Sequence, residues 1–196
     1  MTTYILAGGN DRTADPTYGD RLAKVVSSLV DEPIILSCFL SWPVEYQHEH
    51  WQDYVSWFKE KFGDVEVLEA TQDNFYDLAK KANIIYLHGG HTKELLAHLP
   101  DFEKSKKAFE GKVVIGSSAG ANYLSTYCIP MSEGFDVAQG SGTIGQPVMV
   151  HYRAKQFEGT RYSSDDWAGA EMKLRELSGE HNIICLPEGS FAIVVR

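Results

Sequence analysis

Residues 113–122 of this chain read VVIGSSAGAN, an apolar run that ends abruptly in a Gly-x-Ser-x-Gly pattern. The apolar run is typical of a buried strand, and the residues after Gly120 are compatible with a helix. A sharp strand-to-helix turn with this pattern is a nucleophile elbow, which lifts one serine out of the sheet. The start of the helix also supplies free backbone N–H groups and a dipole that favour developing negative charge. The pattern therefore predicts a nucleophilic serine at Ser118.

Strand-like and helix-like segments alternate on both sides of this stretch. Short apolar runs typical of strands occupy residues 4–7, 33–39, 65–68 and 83–87, and amphipathic helical patterns occupy residues 18–30, 48–62, 74–82 and 92–99. Such alternation with short connections predicts right-handed crossovers and a mostly parallel sheet covered on both faces. The expected fold class is therefore α/β, with three layers in the order α/β/α.

Glycine and polar residues follow several of these strands directly. They are Gly8-Gly9-Asn10, the loop after Cys38, His88-Gly89-Gly90-His91, and Ser118. Ligands of open parallel sheets bind beyond the carboxyl ends of the strands. We therefore expect these segments to share one rim of the sheet.

The periodicity becomes weaker after Tyr127. Residues 132–145 are rich in Gly and Ser and predict a long loop. The remaining pattern predicts strands at 147–152, 182–186 and 190–196 and a helix at 165–177.

Length and composition narrow the classes of function. A chain of 196 residues predicts one domain with a sizeable core. The formal net charge of −9 argues against binding to nucleic acid or to an anionic membrane surface. The three cysteines have no metal-type spacing, and the chain has no signal-peptide pattern and no apolar run long enough to span a bilayer. We expect a cytoplasmic protein, either a monomer or a homodimer.

Four segments resemble the peptidase E (aspartyl dipeptidase) family, which includes the cyanophycinases. Residues 115–122 resemble its nucleophile segment, 86–96 its strand–Gly-Gly-Gly-Asn-Thr–helix segment, 150–152 its Pro-His-Tyr/Phe segment, and 185–190 its Leu-Pro-Glu-Gly segment. The resemblance implies a class I glutamine amidotransferase-like sandwich with a serine nucleophile in place of cysteine.

Matching this sequence to the family residue by residue implies a catalytic triad. Ser118 matches the nucleophile and His151 the catalytic histidine. The family's spacing puts the acid at Glu133, and Asp136 is close enough to compete. A serine hydroxyl needs such a base to take its proton and a third group to orient that base.

The resemblance also implies an oxyanion hole and a substrate-binding residue. The backbone N–H of Gly89 or Gly90, with that of Ala119, would form the oxyanion hole. Arg161, in a segment similar to the family's Gly-Glu-Thr-Arg, could pair with a substrate carboxylate.

Two histidines depart from the family pattern. His88 stands where the family has its third glycine, and His91 where it has asparagine. Together with His151 they could suggest a metal, but no carboxylate or cysteine ligand lies near them in the sequence, and we expect neither a metal nor a cofactor.

The sequence thus predicts a serine hydrolase that cleaves a peptide or amide bond in a small peptide. The expected substrate is an Asp-X dipeptide, and the expected intermediate is an acyl-enzyme on Ser118. One alternative is an α/β-hydrolase-type esterase that uses Asp165 or Asp166 with His181. The other is a non-catalytic amidotransferase-like binding domain that keeps the serine turn.

Overall fold

The computed structural model describes residues 1–133, 135–179 and 181–196. Its largest sheet has the strand order β12-β1-β5-β4-β2-β3. The bounds of these strands are β1 (Thr3–Ala7), β2 (Ile34–Cys38), β3 (Glu66–Ala70), β4 (Ile84–Leu87), β5 (Val113–Ser117) and β12 (Phe191–Val195). All neighbours are parallel except β12 and β1. The prediction of a mostly parallel α/β sheet is confirmed.

Helices cover both faces of this sheet, which gives the three predicted layers. The helices are α1 (Asp11–Ala14), α2 (Tyr18–Ser27), α3 (Val44–Phe62), α4 (Phe75–Ala79), α5 (Thr92–His98), α6 (Phe102–Phe109), α7 (Ala119–Leu124) and α8 (Ser164–Ser178). Side chains of α2 and α3 share one buried cluster with the strands, and side chains of α4 to α7 share the cluster on the opposite face. The apolar sides of α2, α3 and α6 are buried in these clusters, whereas α7 is buried along its whole length.

Smaller elements follow α7. A four-stranded sheet in the order β11-β8-β6-β7 joins β6 (Tyr127–Cys128), β7 (Ala138–Gln139), β8 (Val148–Met149) and β11 (Ile184–Cys185). The strands β9 (Gln156–Phe157) and β10 (Thr160–Arg161) form a hairpin. Helix α8 packs Trp167, Ala170 and Leu174 against this region in a third cluster.

The strand predicted at 147–152 is shorter in the structure. It ends at Met149, because His151 and Arg153 have φ values of 49° and 61°, which strands do not accommodate. The long loop expected at 132–145 contains the short strand β7.

The last strand runs against the first. Thr3 pairs with Val195 and Ala7 with Phe191, so the segment just before β12 lies beside the segment just after β1. This brings distant parts of the chain together at the carboxyl rim of the sheet. Within the described ranges, no helix is long and apolar enough to cross a membrane.

Candidate active site

Ser118 lies in the sharp turn between β5 and α7. Its backbone has φ 47° and ψ −105°, a conformation that costs free energy for a residue other than glycine and is held by the surrounding structure. A Cβ on Gly116 would lie 2.7 Å from the backbone of Gly120, and a Cβ on Gly120 would lie 2.2 Å from the carbonyl oxygen of Leu87. The glycines of the sequence pattern are therefore required because the helix crosses the strands this closely.

His151 lies beside this serine. Its Nε2 is 3.0 Å from Ser118 Oγ, and its backbone N–H donates to the carbonyl oxygen of Gly8 at 2.8 Å. The imidazole packs on the Phe157 ring, with 4.4 Å between the ring centroids. Only 3% of His151 is exposed. The geometry allows Nε2 to accept the proton of the serine hydroxyl.

Glu188 holds the other side of the imidazole. Its Oε1 is 2.8 Å from His151 Nδ1, and it lies in the turn between β11 and β12. The amide Nδ2 of Asn10, just after β1, donates to the same oxygen at 2.7 Å. The antiparallel pairing of β12 with β1 brings these two loops together.

Burial and the Glu188 carboxylate shift the pKa of His151 in opposite directions. Burial lowers the pKa of His151 below its usual value, and the hydrogen bond and charge of Glu188 raise it. The net pKa is lowered, so His151 is neutral at neutral pH and its Nε2 is able to act as a base.

The carboxylate on His151 is not the one expected from the family's spacing. Asp136 is 81% exposed at its side chain and accepts from Lys173 Nζ at 3.0 Å, so the expectation that it orients His151 is corrected. The other candidate, Glu133, has a side chain that lies outside the described part of the structure. Glu188 stands in the Leu-Pro-Glu-Gly-like segment, in the turn that follows β11. The resemblance of residues 185–190 to the family's segment is the signal in the sequence that could have identified Glu188.

Backbone N–H groups are available next to Ser118. A Cβ on Gly89 would lie 3.4 Å from Ser118 Cβ, so this loop faces the serine. Among the described residues, no acceptor bonds the N–H of Gly89 or Gly90. Ala119 opens α7, and the first N–H groups of a helix have no partner within it. All three expected oxyanion-hole residues thus lie around the serine turn.

A cavity of about 240 Å³ opens at Ser118 and His151. Its other walls include Arg12, Trp42, His50, Tyr54, His88 and Glu158. Asp11 also lines the cavity, and it accepts hydrogen bonds from Ser117 Oγ at 2.6 Å and from the N–H of Gly9 at 3.0 Å. Burial raises the pKa of Asp11 to about 6.

His88 forms a buried wall of this cavity. Its ring stacks on Phe39 with 3.7 Å between centroids, and its Nε2 is 2.7 Å from Ser37 Oγ. Burial lowers the pKa of His88 well below its usual value, so the ring is neutral. In the part of the chain that the structure describes, no three His, Cys, Asp or Glu side chains are grouped so that they could hold a metal ion.

Other residues singled out from the sequence lie elsewhere. Arg161 is exposed on β10 and does not line the cavity. Asp166 accepts from the N–H and hydroxyl of Ser163 and caps α8. Since His151 occupies the position beside Ser118, the geometry does not support the esterase alternative based on Asp165 or Asp166 and His181.

Comparisons with known proteins agree on family and fold. The model of peptidase family S51 matches residues 43–154, which include Ser118 and His151. The crystal structure of a peptidase from an acI-B1 Actinobacterium is similar with a TM-score of 0.71 and 21% identity, over 99% of this chain and 83% of that one. A protein from Listeria monocytogenes EGD-e assigned to peptidase E is similar with a TM-score of 0.63 and 13% identity, over 100% of this chain and 99% of that one. At these identities the likeness is one of fold. A search of the curated proteins found no match.

Proposed function

This chain belongs to peptidase family S51, and from that premise we propose that it cleaves a small peptide with Ser118, His151 and Glu188 as its catalytic triad. The proposed substrate is a dipeptide with an N-terminal aspartate. The observation that carries the proposal is the continuous chain of contacts, 3.0 Å from Ser118 Oγ to His151 Nε2 and 2.8 Å from His151 Nδ1 to Glu188 Oε1.

The first half of the reaction forms an acyl-enzyme. Ser118 Oγ attacks the carbonyl carbon of the substrate while His151 Nε2 takes the hydroxyl proton. Glu188 accepts the hydrogen bond from Nδ1–H, fixes the tautomer and stabilises the imidazolium. His151 then gives its proton to the leaving amine as the peptide C–N bond breaks.

The second half releases the acid product. A water molecule attacks the ester carbon while His151 takes its proton, and the Ser118 Oγ–C bond breaks as that proton returns to the serine. The N–H groups of Gly89 or Gly90 and of Ala119 stabilise the oxyanion in both halves. Because these donors belong to the backbone of a fixed turn, they need little reorganisation when the oxyanion forms.

The size of the cavity favours a small substrate. About 240 Å³ is on the order of eight water volumes, which suits a dipeptide better than a long segment of chain. The preference for N-terminal aspartate is supported by the four segments that resemble the peptidase E family. Cys38 and Cys185 are thiols, which fits the reducing, cytoplasmic compartment expected from the sequence.

Labelling with a fluorophosphonate tests the nucleophile. We expect the intact protein to be modified, the label to be lost in Ser118→Ala, and the label to persist in Ser117→Ala, which removes the neighbouring serine of the pair. Mass spectrometry of the modified peptide gives the position. Absence of any label on the intact protein would favour the binding-domain alternative.

Hydrolysis of p-nitroanilides tests the substrate. We expect Asp-p-nitroanilide to be cleaved in preference to the Ala and Glu analogues, and Ser118→Ala to abolish the cleavage. Labelling at Ser118 without cleavage of any of the three would contradict the dipeptidase proposal and leave the serine nucleophile in place.

A further inference from the structure

One side of the cavity carries positive charge in a protein whose net charge is −9. Arg12 lines the cavity, and within the described ranges no carboxylate lies at ion-pair distance from its guanidinium. His50 lies on the same side, and both groups are close enough to His88 to lower its pKa. An unpaired guanidinium on the wall of a small cavity is a ready binding group for an anion.

Aromatic rings hold the guanidinium in place. The Arg12 Cζ atom lies 4.5 Å from the centroid of the Tyr54 ring and 5.7 Å from that of Trp57. A cation–π contact of this kind does not use the N–H groups as donors to a ring acceptor atom, so they remain available to a ligand. The side chain therefore loses less conformational entropy when it binds a carboxylate.

Two carboxylates, Asp11 and Glu158, also line the cavity, and neither lies at ion-pair distance from the guanidinium in the part of the chain that the structure describes. Asp11 precedes Arg12 in the chain, but its two oxygens accept hydrogen bonds from Ser117 and from Gly9. His88 is neutral because burial lowers its pKa. Arg12 is therefore the positive charge on this wall with which a ligand carboxylate could pair.

We propose that Arg12 is the residue that binds a carboxylate of the substrate, in the recess bounded by Tyr54, His50 and Trp42. This proposal rests on the proposed peptidase function. It gives Arg12 the role that the family resemblance implied for Arg161, which lies on the exposed β9–β10 hairpin. The carboxylate comes from one of two sources, the side chain of the N-terminal residue or the C-terminus of the dipeptide.

Paired substrates test the proposal in Arg12→Gln. Asp- and Asn-p-nitroanilide differ in the side-chain charge, and Asp-Leu and Asp-Leu-amide differ in the C-terminal charge. We expect Arg12→Gln to lower kcat/KM about 10- to 100-fold for the charged member of one pair and to change the uncharged member less than about twofold. Arg12→Lys, which keeps the charge and loses the planar fork, should lie between.

The source of the carboxylate is identified by the substrate pair whose two kcat/KM values become similar in Arg12→Gln. If both pairs keep their wild-type ratios in Arg12→Gln, the proposal is overturned. It is also overturned if Arg161→Gln, rather than Arg12→Gln, removes the discrimination. Arg175→Gln, on the exposed surface of α8, serves as the matched control and should leave both ratios unchanged.

A binding measurement separates this proposal from the peptidase proposal. Calorimetry with succinate as a probe, in Ser118→Ala, should show binding that is lost in Ser118→Ala/Arg12→Gln. Failure of the peptidase proposal would appear as an intact protein without labelling or hydrolysis. Equal succinate binding in the two variants would overturn the role of Arg12 alone.

Discussion

Asn10 donates a 2.7 Å hydrogen bond to the same Glu188 oxygen that contacts His151, although Asn10 and Glu188 are separated by 178 positions in the chain. This contact gives the carboxylate oxygen a second partner besides the imidazole. Asn10 itself has φ 47°, which asparagine tolerates better than most residues. The orientation of the proposed triad thus depends on a residue outside the triad.

Removing the Asn10 amide should weaken the orientation of His151. We expect Asn10→Gly, which accepts the positive φ without strain, to lower kcat about tenfold, since hydrogen bonds to charged groups contribute roughly 1.5–3 kcal/mol. Stopped-flow labelling of Ser118 and steady-state hydrolysis measure this. Thr13→Ala, on the same short helix, is the control, and an Asn10→Gly enzyme as active as the wild type would show that Glu188 is held by other contacts.

Glu188→Gln should be far more damaging. An amide at this position removes the charge that stabilises the imidazolium, and we expect kcat to fall roughly a thousandfold or more. Asp136→Asn, which alters the exposed carboxylate paired with Lys173, should have little effect. A large loss of kcat in Asp136→Asn, together with a wild-type kcat in Glu188→Gln, would favour Asp136 as the residue that orients His151.

The same variants make a prediction about pH. Burial lowers the pKa of His151 from 6.5, so the acid limb of kcat/KM should lie below pH 6.5 in the wild type. Glu188 raises this pKa, and its replacement by Gln should therefore move the limb to still lower pH. A pH profile of the residual activity checks the direction, and a limb that moves upward would contradict it.

Gly9 leaves no room for a side chain beside the imidazole. It has φ 93°, and a Cβ there would lie 2.3 Å from His151 Cε1. We expect Gly9→Ala to displace the ring and lower kcat/KM at least about a hundredfold, by analogy with other small misplacements of catalytic groups. Gly111→Ala is the matched control, because Gly111 has φ 72° but nothing within 4 Å of its Cβ position. It should cost about 1–2 kcal/mol of stability and leave activity unchanged.

Asp11 should make stability depend on pH. Its pKa is raised from 3.8 to about 6, so the folded protein keeps a proton that the unfolded chain loses between these values. The stability of the wild type relative to Asp11→Asn should therefore fall by about 2 kcal/mol as pH rises from 4 to 7. Urea unfolding of both proteins measures the difference. If the unfolding free energies of the two proteins changed in parallel with pH, the pKa of Asp11 would not be raised in the folded protein.

The sequence predicted those parts of the fold and site that depend on local pattern. Apolar runs followed by glycine located the carboxyl rim, and the strand before Ser118 is β5 as expected. His151 was found through its short Val-His-Tyr segment. Both residues follow a strand within a few positions, and the family resemblance of residues 150–152 singled out His151 among the seven histidines.

Glu188 and Arg12 could not be assigned in the same way. An apolar run does not reveal the direction of its strand, so nothing local indicated that β12 runs antiparallel to β1 and brings Glu188 beside Asn10. Arg12 lies in a short helix, α1, and its guanidinium reaches the cavity through contact with rings on α3. Such contacts depend on the packing of distant elements.

The pairing of the first and last strands also sets the time at which the site becomes complete during synthesis. A nascent chain that has left the ribosome through His151 already carries the serine, the base and the glycine turn, but its imidazole has no carboxylate. Glu188 reaches Nδ1 when residues 191–195 add to the edge of β1. A chain that stops before Glu188 therefore lacks the carboxylate that contacts His151, and we expect it to be far less active as a hydrolase.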